Sequence, residues 1–74
     1  MKLPKLTAVI EREDDWFVAT CPELAVASQG ESIEDAERML KEAVDLLLEE
    51  ADEREIERRL NRGVKVTSLQ PAHA

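Results

Sequence analysis

CPELAVASQGESIEDAE, residues 21–37, changes character twice within a few turns of chain. It opens as a short apolar run behind Pro22, pauses at Ser28-Gln29-Gly30, and then becomes acidic. The acidic half marks a helix start. Ser32 is a good N-cap, because its side-chain oxygen can accept from an amide that the first helical turn leaves unpaired. Glu34, Asp35 and Glu37 follow, where the positive end of the helix dipole favours carboxylates, and Ser32-x-x-Asp35 fits the looser capping-box pattern. The apolar half reads as a short strand, LAVASQ (24–29), that Gly30 closes, with Ser28-Gln29-Gly30 as the turn.

Working forward, Ile33, Ala36, Leu40, Ala43, Val44, Leu47 and Ala51 recur at steps of three and four, which predicts an amphipathic helix over 32–51. Glu37, Lys41, Asp45 and Glu49 lie off that stripe. Such a helix is about 30 Å long, enough to span a small sheet. Beyond Asp52, EREIERRLNRG carries Ile56 and Leu60 one turn apart and ends on Gly63, which reads as a second short helix or an extension of the first. VKVTSL (64–69) alternates again and is expected as a fourth strand, with Pro71 ending it and Ala72-His73-Ala74 as a loose tail.

Working backward, KLTAVIERE (5–13) sets Leu6, Ala8 and Ile10 against Lys5, Thr7, Val9 and Glu11, the period of a half-buried strand. Arg12-Glu13-Asp14-Asp15 is expected as the hairpin turn, since Asp tolerates a left-handed backbone. WFVATC (16–21), rich in aromatic and β-branched residues, is the second strand, and Pro22 ends it or confines it to an edge. The expected fold is α+β: a small antiparallel sheet of three to four strands with one main helix on one face, in the order β-β-β-α-β, with room for a short second helix.

The totals bound the rest. Seventy-four residues form one domain, 1–74, and a domain of this size buries little surface, so oligomerisation is a common remedy. Seventeen acidic and ten basic residues give a net charge of −7, unevenly placed. Residues 31–55 carry eleven acidic and three basic groups, net −8, whereas residues 56–74 carry one and four, net +3. Such a chain is a poor ligand for duplex phosphates, whose binding needs Lys and Arg to displace counterions. A basic protein is the better-matched partner. The interrupted apolar start, MKLPKLTAVIERE, is no signal peptide, and no run approaches the ~20 apolar residues of a membrane span. The expected location is the cytoplasm.

Taken in order, Trp16-Phe17-Val18-Ala19, Cys21-Pro22-Glu23-Leu24, Val26-Ala27-Ser28-Gln29-Gly30-Glu31-Ser32, Glu34-Asp35-Ala36 and then LKEAVDLLLEE (40–50) resemble the HicB-like antitoxin family of toxin–antitoxin pairs. The likeness covers residues 6–50. It implies a partial ribonuclease-H-like fold and a role in neutralising a small, basic ribonuclease toxin by covering its active site. Asp15 stands where members of the family often carry glycine. Many members append a separate DNA-binding domain; this chain is expected to have none. An orphan member, self-associating and without a toxin, is the alternative that the resemblance leaves open.

Chemistry of the chain's own is not expected. A two-metal nuclease needs carboxylates converging around the ions, and Glu11, Glu23 and Glu31 sit at strand ends with no Asp inside the first strand. Cys21 lacks a base to activate it, since the one histidine, His73, is in the tail, so it reads as a small buried hydrophobe. No metal or other cofactor is expected. Trp16 either covers one end of the core or anchors an interface, Trp being enriched at hot spots. Arg58, Arg59 and Arg62 with Lys65 form the one basic cluster, explained by pairing with the acidic helix or, less in keeping with the overall charge, by nucleic acid. Thr7, Val9, Val18 and Thr20 alternate onto a second sheet face for which this chain supplies no layer. Two expectations follow: a homodimer or higher even oligomer, and partner binding through Trp16, Glu37, Asp45 and Glu49.

Overall fold

Three consecutive strands pair in chain order in the computed structural model, which describes residues 2–73. Strand β1 (Val9–Glu13) and strand β2 (Trp16–Cys21) form an antiparallel hairpin closed by the pair Glu13 and Trp16, leaving only Asp14 and Asp15 in the turn. Asp14 takes φ 55°, the left-handed conformation that an aspartate tolerates better than most side chains. Strand β3 (Val26–Gly30) lies antiparallel to β2 on its other side, with Cys21 opposite Val26 and Phe17 opposite Gly30. Pro22 ends β2, which is the central strand and not an edge.

Helix α1 (Ile33–Glu50) follows at once. Ser32 caps it as the sequence leads one to expect: its Oγ accepts from the Asp35 amide at 3.0 Å. The return bond of the capping box is displaced by one residue, because Asp35 Oδ2 accepts from the amide of Glu31 and not from that of Ser32. Ala51, in an extended conformation, ends the helix, and Asp52 caps a second one, α2 (Glu53–Leu60), through the Glu55 amide. The two helices are separate, so α2 is no extension of α1.

The core lies between the sheet and the helices. Ala19 and Cys21 of β2 point at Ala36 and Leu40 of α1, with Leu24 from the β2–β3 connection and Ile56 of α2 completing the buried set. Fully burying a side chain such as Leu24 contributes about 1.5–3 kcal/mol. Leu6, Ile10, Phe17, Val26, Val44, Leu47, Leu48, Ala51 and Leu60 pack around it. The sheet is one layer and α1 the other, and α1 crosses β3 and β2 while scarcely reaching β1. The molecule is a small α+β fold only 15 Å thick in its shortest dimension.

Six expectations are corrected. The hairpin turn is Asp14-Asp15 alone, since Arg12 and Glu13 pair within β1, and the third strand is Val26–Gly30 and not 24–29. Residues 64–69 form no strand: the stretch leaves α2 as an exposed, extended arm, and among the described residues it pairs with nothing. Alternation alone does not make a strand: the stretch must also lie along an edge, and it pairs with neither edge of the sheet. The first strand begins at Val9 and not at Lys5, because Thr7 is drawn out of register by Glu23. Ser28-Gln29-Gly30 is the end of β3 and not a turn; the chain bends at Glu31 and Ser32. Ile33, first residue of the apolar stripe, is 51% exposed and does not join the core. Of the tail, Ala72 and His73 are exposed, and Ala74 lies outside the described residues.

Candidate functional site

Strand pairing fixes which side chains share a face. Phe17, Ala19 and Cys21 face the helices, so Trp16, Val18 and Thr20 face the other way, joined by Val9, Glu11 and Glu13 of β1 and by Ala27 and Gln29 of β3. Among the described residues no element covers that face. Val9 is 43% and Trp16 46% exposed, and Trp16 sits with Glu13, Asp14, Val18 and Gln29 at the hairpin end. Trp16 therefore does not cover the core; the sheet stands between them. Thr7, expected on this face, is not part of the sheet.

The three carboxylates singled out in the sequence, Glu37, Asp45 and Glu49, are exposed on α1. None makes an ion pair among the described residues, in contrast to Asp35 and Glu42, which both engage Arg38. Over Ile33–Glu50 the helix carries seven acidic and two basic residues, net −5. Glu37, Lys41 and Asp45 border a shallow groove of about 460 Å³ between α1 and the segment entering β1, floored by Leu6, Ala8, Leu40, Val44 and Leu48. Trp16 and the acidic row thus lie on opposite sides of the sheet, and the structure does not bring them together.

A second groove of about 590 Å³ opens beside β3, between Ala25 and Val26 on one side and Ala43, Leu46, Leu47 and Ala51 on the other. Glu50, Asp52, Glu55 and Arg59 rim it. Ala43, Leu47 and Ala51 belong to the apolar stripe expected from the sequence, whereas the groove itself is not foreseen there; Leu46, 54% exposed and off that stripe, is the residue that betrays it.

The carboxylates considered for metal chemistry do not converge. Glu11 is on the open sheet face and Glu31 precedes α1, while Glu23 is held in the β2–β3 connection. The Glu23 oxygens accept from the Thr7 amide at 3.0 Å, the Thr7 hydroxyl at 2.5 Å and the Cys21 thiol at 3.4 Å. Partial burial pushes this carboxyl up, but the bonds from Thr7, from its own backbone and from Cys21 outweigh it, and the net effect holds the group below the usual range. Burial, chiefly, pushes the Cys21 thiol up, and the adjacent Glu23 adds to that. A thiol so placed is disfavoured as a thiolate nucleophile. Among the described residues no cluster of three or more His, Cys, Asp and Glu side chains is placed to hold a metal ion.

The basic cluster has a structural use that sequence reasoning missed. Arg58 and Arg59 pair with Glu55 of their own helix and not with α1. Arg59 also donates to the carbonyls of Leu24 at 3.0 Å and Ala25 at 3.3 Å, and Arg62 donates to that of Pro22 at 3.2 Å. Two arginines thereby fasten α2 to the β2–β3 connection, while Lys65 stands away on the arm. Nothing in a one-dimensional charge count distinguishes such bonds to backbone carbonyls from solvated charge.

In class this is a two-layer α+β module with one bare sheet face and an acidic helix. Comparison with protein-family models, curated proteins and solved structures finds no match for the chain. Among the described residues no helix is long and apolar enough to cross a membrane.

Proposed function

We propose that the protein is an antitoxin-like binding module of the cytoplasm that masks a small basic ribonuclease toxin by protein–protein contact. The observation that carries this reading is the set of exposed carboxylates Glu37, Asp45 and Glu49 along α1, without an ion pair among the described residues, the first two bordering the apolar groove floored by Leu6, Ala8, Leu40, Val44 and Leu48. An apolar floor with an acidic border suits a basic, amphipathic protein surface. Charge of this kind steers encounter and sets specificity more than it sets the final affinity. The toxin itself comes from the resemblance to HicB-like antitoxins. The chain needs no chemistry for this role, and its buried thiol and occupied Glu23 carboxylate offer none.

This reading requires a small basic protein encoded beside this chain, and the test uses that protein. Replacing Glu37, Asp45 and Glu49 together by Lys leaves the helical circular dichroism intact, because none of the three is buried, and lowers the association rate at least tenfold at low salt. One exposed pair is worth about 0–1 kcal/mol, so the single changes matter little. Added salt slows association more than it speeds dissociation. A folded triple variant that associates at the wild-type rate excludes α1 as the docking face. Absence of any basic neighbour that binds excludes the antitoxin role.

A second reading has its own observation. The bare sheet face, with Val9, Trp16, Val18 and Thr20, favours a self-associating module without a toxin partner. Glu11→Lys and Val18→Lys on that face dissociate an oligomer built through it, and an unchanged mass in light scattering excludes that interface.

A further inference from the structure

The sheet has two free edges, and they are not alike. β1 is VIERE, three charges in five residues, which is how natural proteins blunt an edge against pairing with another chain. β3 is VASQG, without a charge or a proline, and its backbone is open along one side. Beside that edge lies the groove formed by Ala25, Val26, Ala43, Leu46, Leu47 and Ala51. An unguarded edge next to an apolar floor is half of a strand-binding site.

The other half is the arm. Residues 64–69, VKVTSL, alternate as a strand does, are exposed throughout, and form no backbone hydrogen bond among the described residues. At ~3.3 Å per residue they extend over about 20 Å, a match for the five residues of β3. The arm stands clear of its own body. Gly63 takes φ +77°, and the radius of gyration is 14.0 Å, whereas a compact chain of this length has about 11 Å. Its root is fixed: Arg59 and Arg62 hold α2 against residues 22–25, and α2 supplies Glu55 and Arg59 to the wall of the same groove. Among the described residues the arm makes no backbone hydrogen bond to its own β3, and a second molecule can bring the same segment to that edge.

We propose that the free edge of β3 docks residues 64–69 of a second copy of this chain, which adds as a fourth strand with Val64 and Val66 turned into the groove beneath α1. The exchange is reciprocal, since each copy offers one arm and one edge, and a two-fold pair closes without leaving either unused. Backbone pairing along the edge gives affinity, and the alternate side chains give register. Val64 and Val66, 42% and 50% exposed in the single chain, cover Leu46, while Lys65 stays on the solvent side. Charge agrees with this occupant: the arm brings Lys65 to a groove whose rim carries Glu50 and Asp52 beside the paired Glu55 and Arg59. The inference is independent of any toxin.

The test is the mass of the whole chain in solution, followed by the path of the arm. Light scattering of the wild type at tens of micromolar gives about twice the 8.4 kDa of one chain. Val64→Asp with Val66→Asp halves that mass and leaves the helical spectrum unchanged, because the arm contributes nothing to the core. A monomeric wild type, or a variant that keeps the doubled mass, overturns the proposal. Leu46→Cys with Val66→Cys then reports which molecule holds the arm, as Cys21 is buried and stays out of exchange. After mild oxidation a covalent dimer on a non-reducing gel supports exchange. A disulfide formed within one chain, or none at all, overturns it.

Discussion

A β-carbon added at Gly30 would lie 2.7 Å from the Asp35 carbonyl carbon and 2.8 Å from Ala36 Cα, and nearer still to the Ala36 amide nitrogen. These are backbone atoms of the capped first turn and cannot swing aside, so β3 and α1 touch here only because residue 30 has no side chain. Gly30→Ala is expected to destabilise by about 1–3 kcal/mol, as overpacking does, read as a lower urea midpoint. At the other end of β3 the situation is reversed. Ala25 is exposed and takes φ 56°, a conformation that costs a residue with a β-carbon about 1–2 kcal/mol. Ala25→Gly removes that cost, offset in part by the greater freedom of glycine in the unfolded chain, and is expected to raise the midpoint; a fall would refute the assignment of strain. Glu23 supplies a pH dependence. Its carboxyl is lowered on folding, as is that of Asp35, which accepts first from the Glu31 amide and then from Arg38. A lowered folded value means stability that is present above the unfolded pKa and lost as pH falls through the folded one, so the loss begins below about pH 4. Glu23→Gln should flatten that acid limb in a series of urea titrations, and an unchanged limb would remove Glu23 from the account.

Among the elements, α2 is the one whose position depends on few bonds. It buries Ile56 and is otherwise tied to the sheet by Arg59 and Arg62 through the carbonyls of Pro22, Leu24 and Ala25. Hydrogen bonds to a charged donor contribute about 1.5–3 kcal/mol, less where water competes. Arg59→Ala is expected to cost about 1–2 kcal/mol and to speed hydrogen exchange in α2 ahead of α1, whereas Arg58→Ala, whose partner is only the exposed Glu55, should change little. The same contrast explains what could be read from residue order. The α1 start was legible because Ser32, Asp35 and the acidic turn act within four residues, and the β1–β2 hairpin because the charged run Arg12–Asp15 separates two strand-like runs, although Arg12 and Glu13 belong to β1. The short reach of these signals is the reason they survive in one dimension. Thr7 was misplaced because its decisive partner, Glu23, is sixteen residues away and no periodicity encodes that bond. VKVTSL was read as a strand because its pattern is that of one; whether a strand forms depends on an edge, and the sequence of one chain does not say whose. Of the candidate site, the acidic row of α1 was visible as charge off the apolar stripe, whereas the groove at β3 needed the distance between Val26 and Leu46, which only packing provides.

At the scale of the whole molecule, each strand pairs with the next in the chain and α1 folds back directly on the last of them. Nothing must thread past anything else. Chains whose contacts are mostly local pay little loop-closure entropy before contacts form, and mixed domains of this size fold between the microseconds of helical bundles and the seconds of slow β proteins. The body is therefore expected to refold in a single fast phase, within milliseconds, at a rate independent of concentration. Strand exchange between copies is a collision and obeys different arithmetic: its rate rises in proportion to chain concentration. Stopped-flow refolding followed by Trp16 fluorescence and by light scattering, at two concentrations tenfold apart, should show a folding phase that does not move and an association phase that quickens about tenfold. A single phase insensitive to concentration would mean that no second molecule is involved. The meander thus sets an order in time. Every newly made copy passes through an interval in which its sheet is complete, its edge is unguarded and its arm is unspent, and the length of that interval is set by how many identical neighbours are within reach.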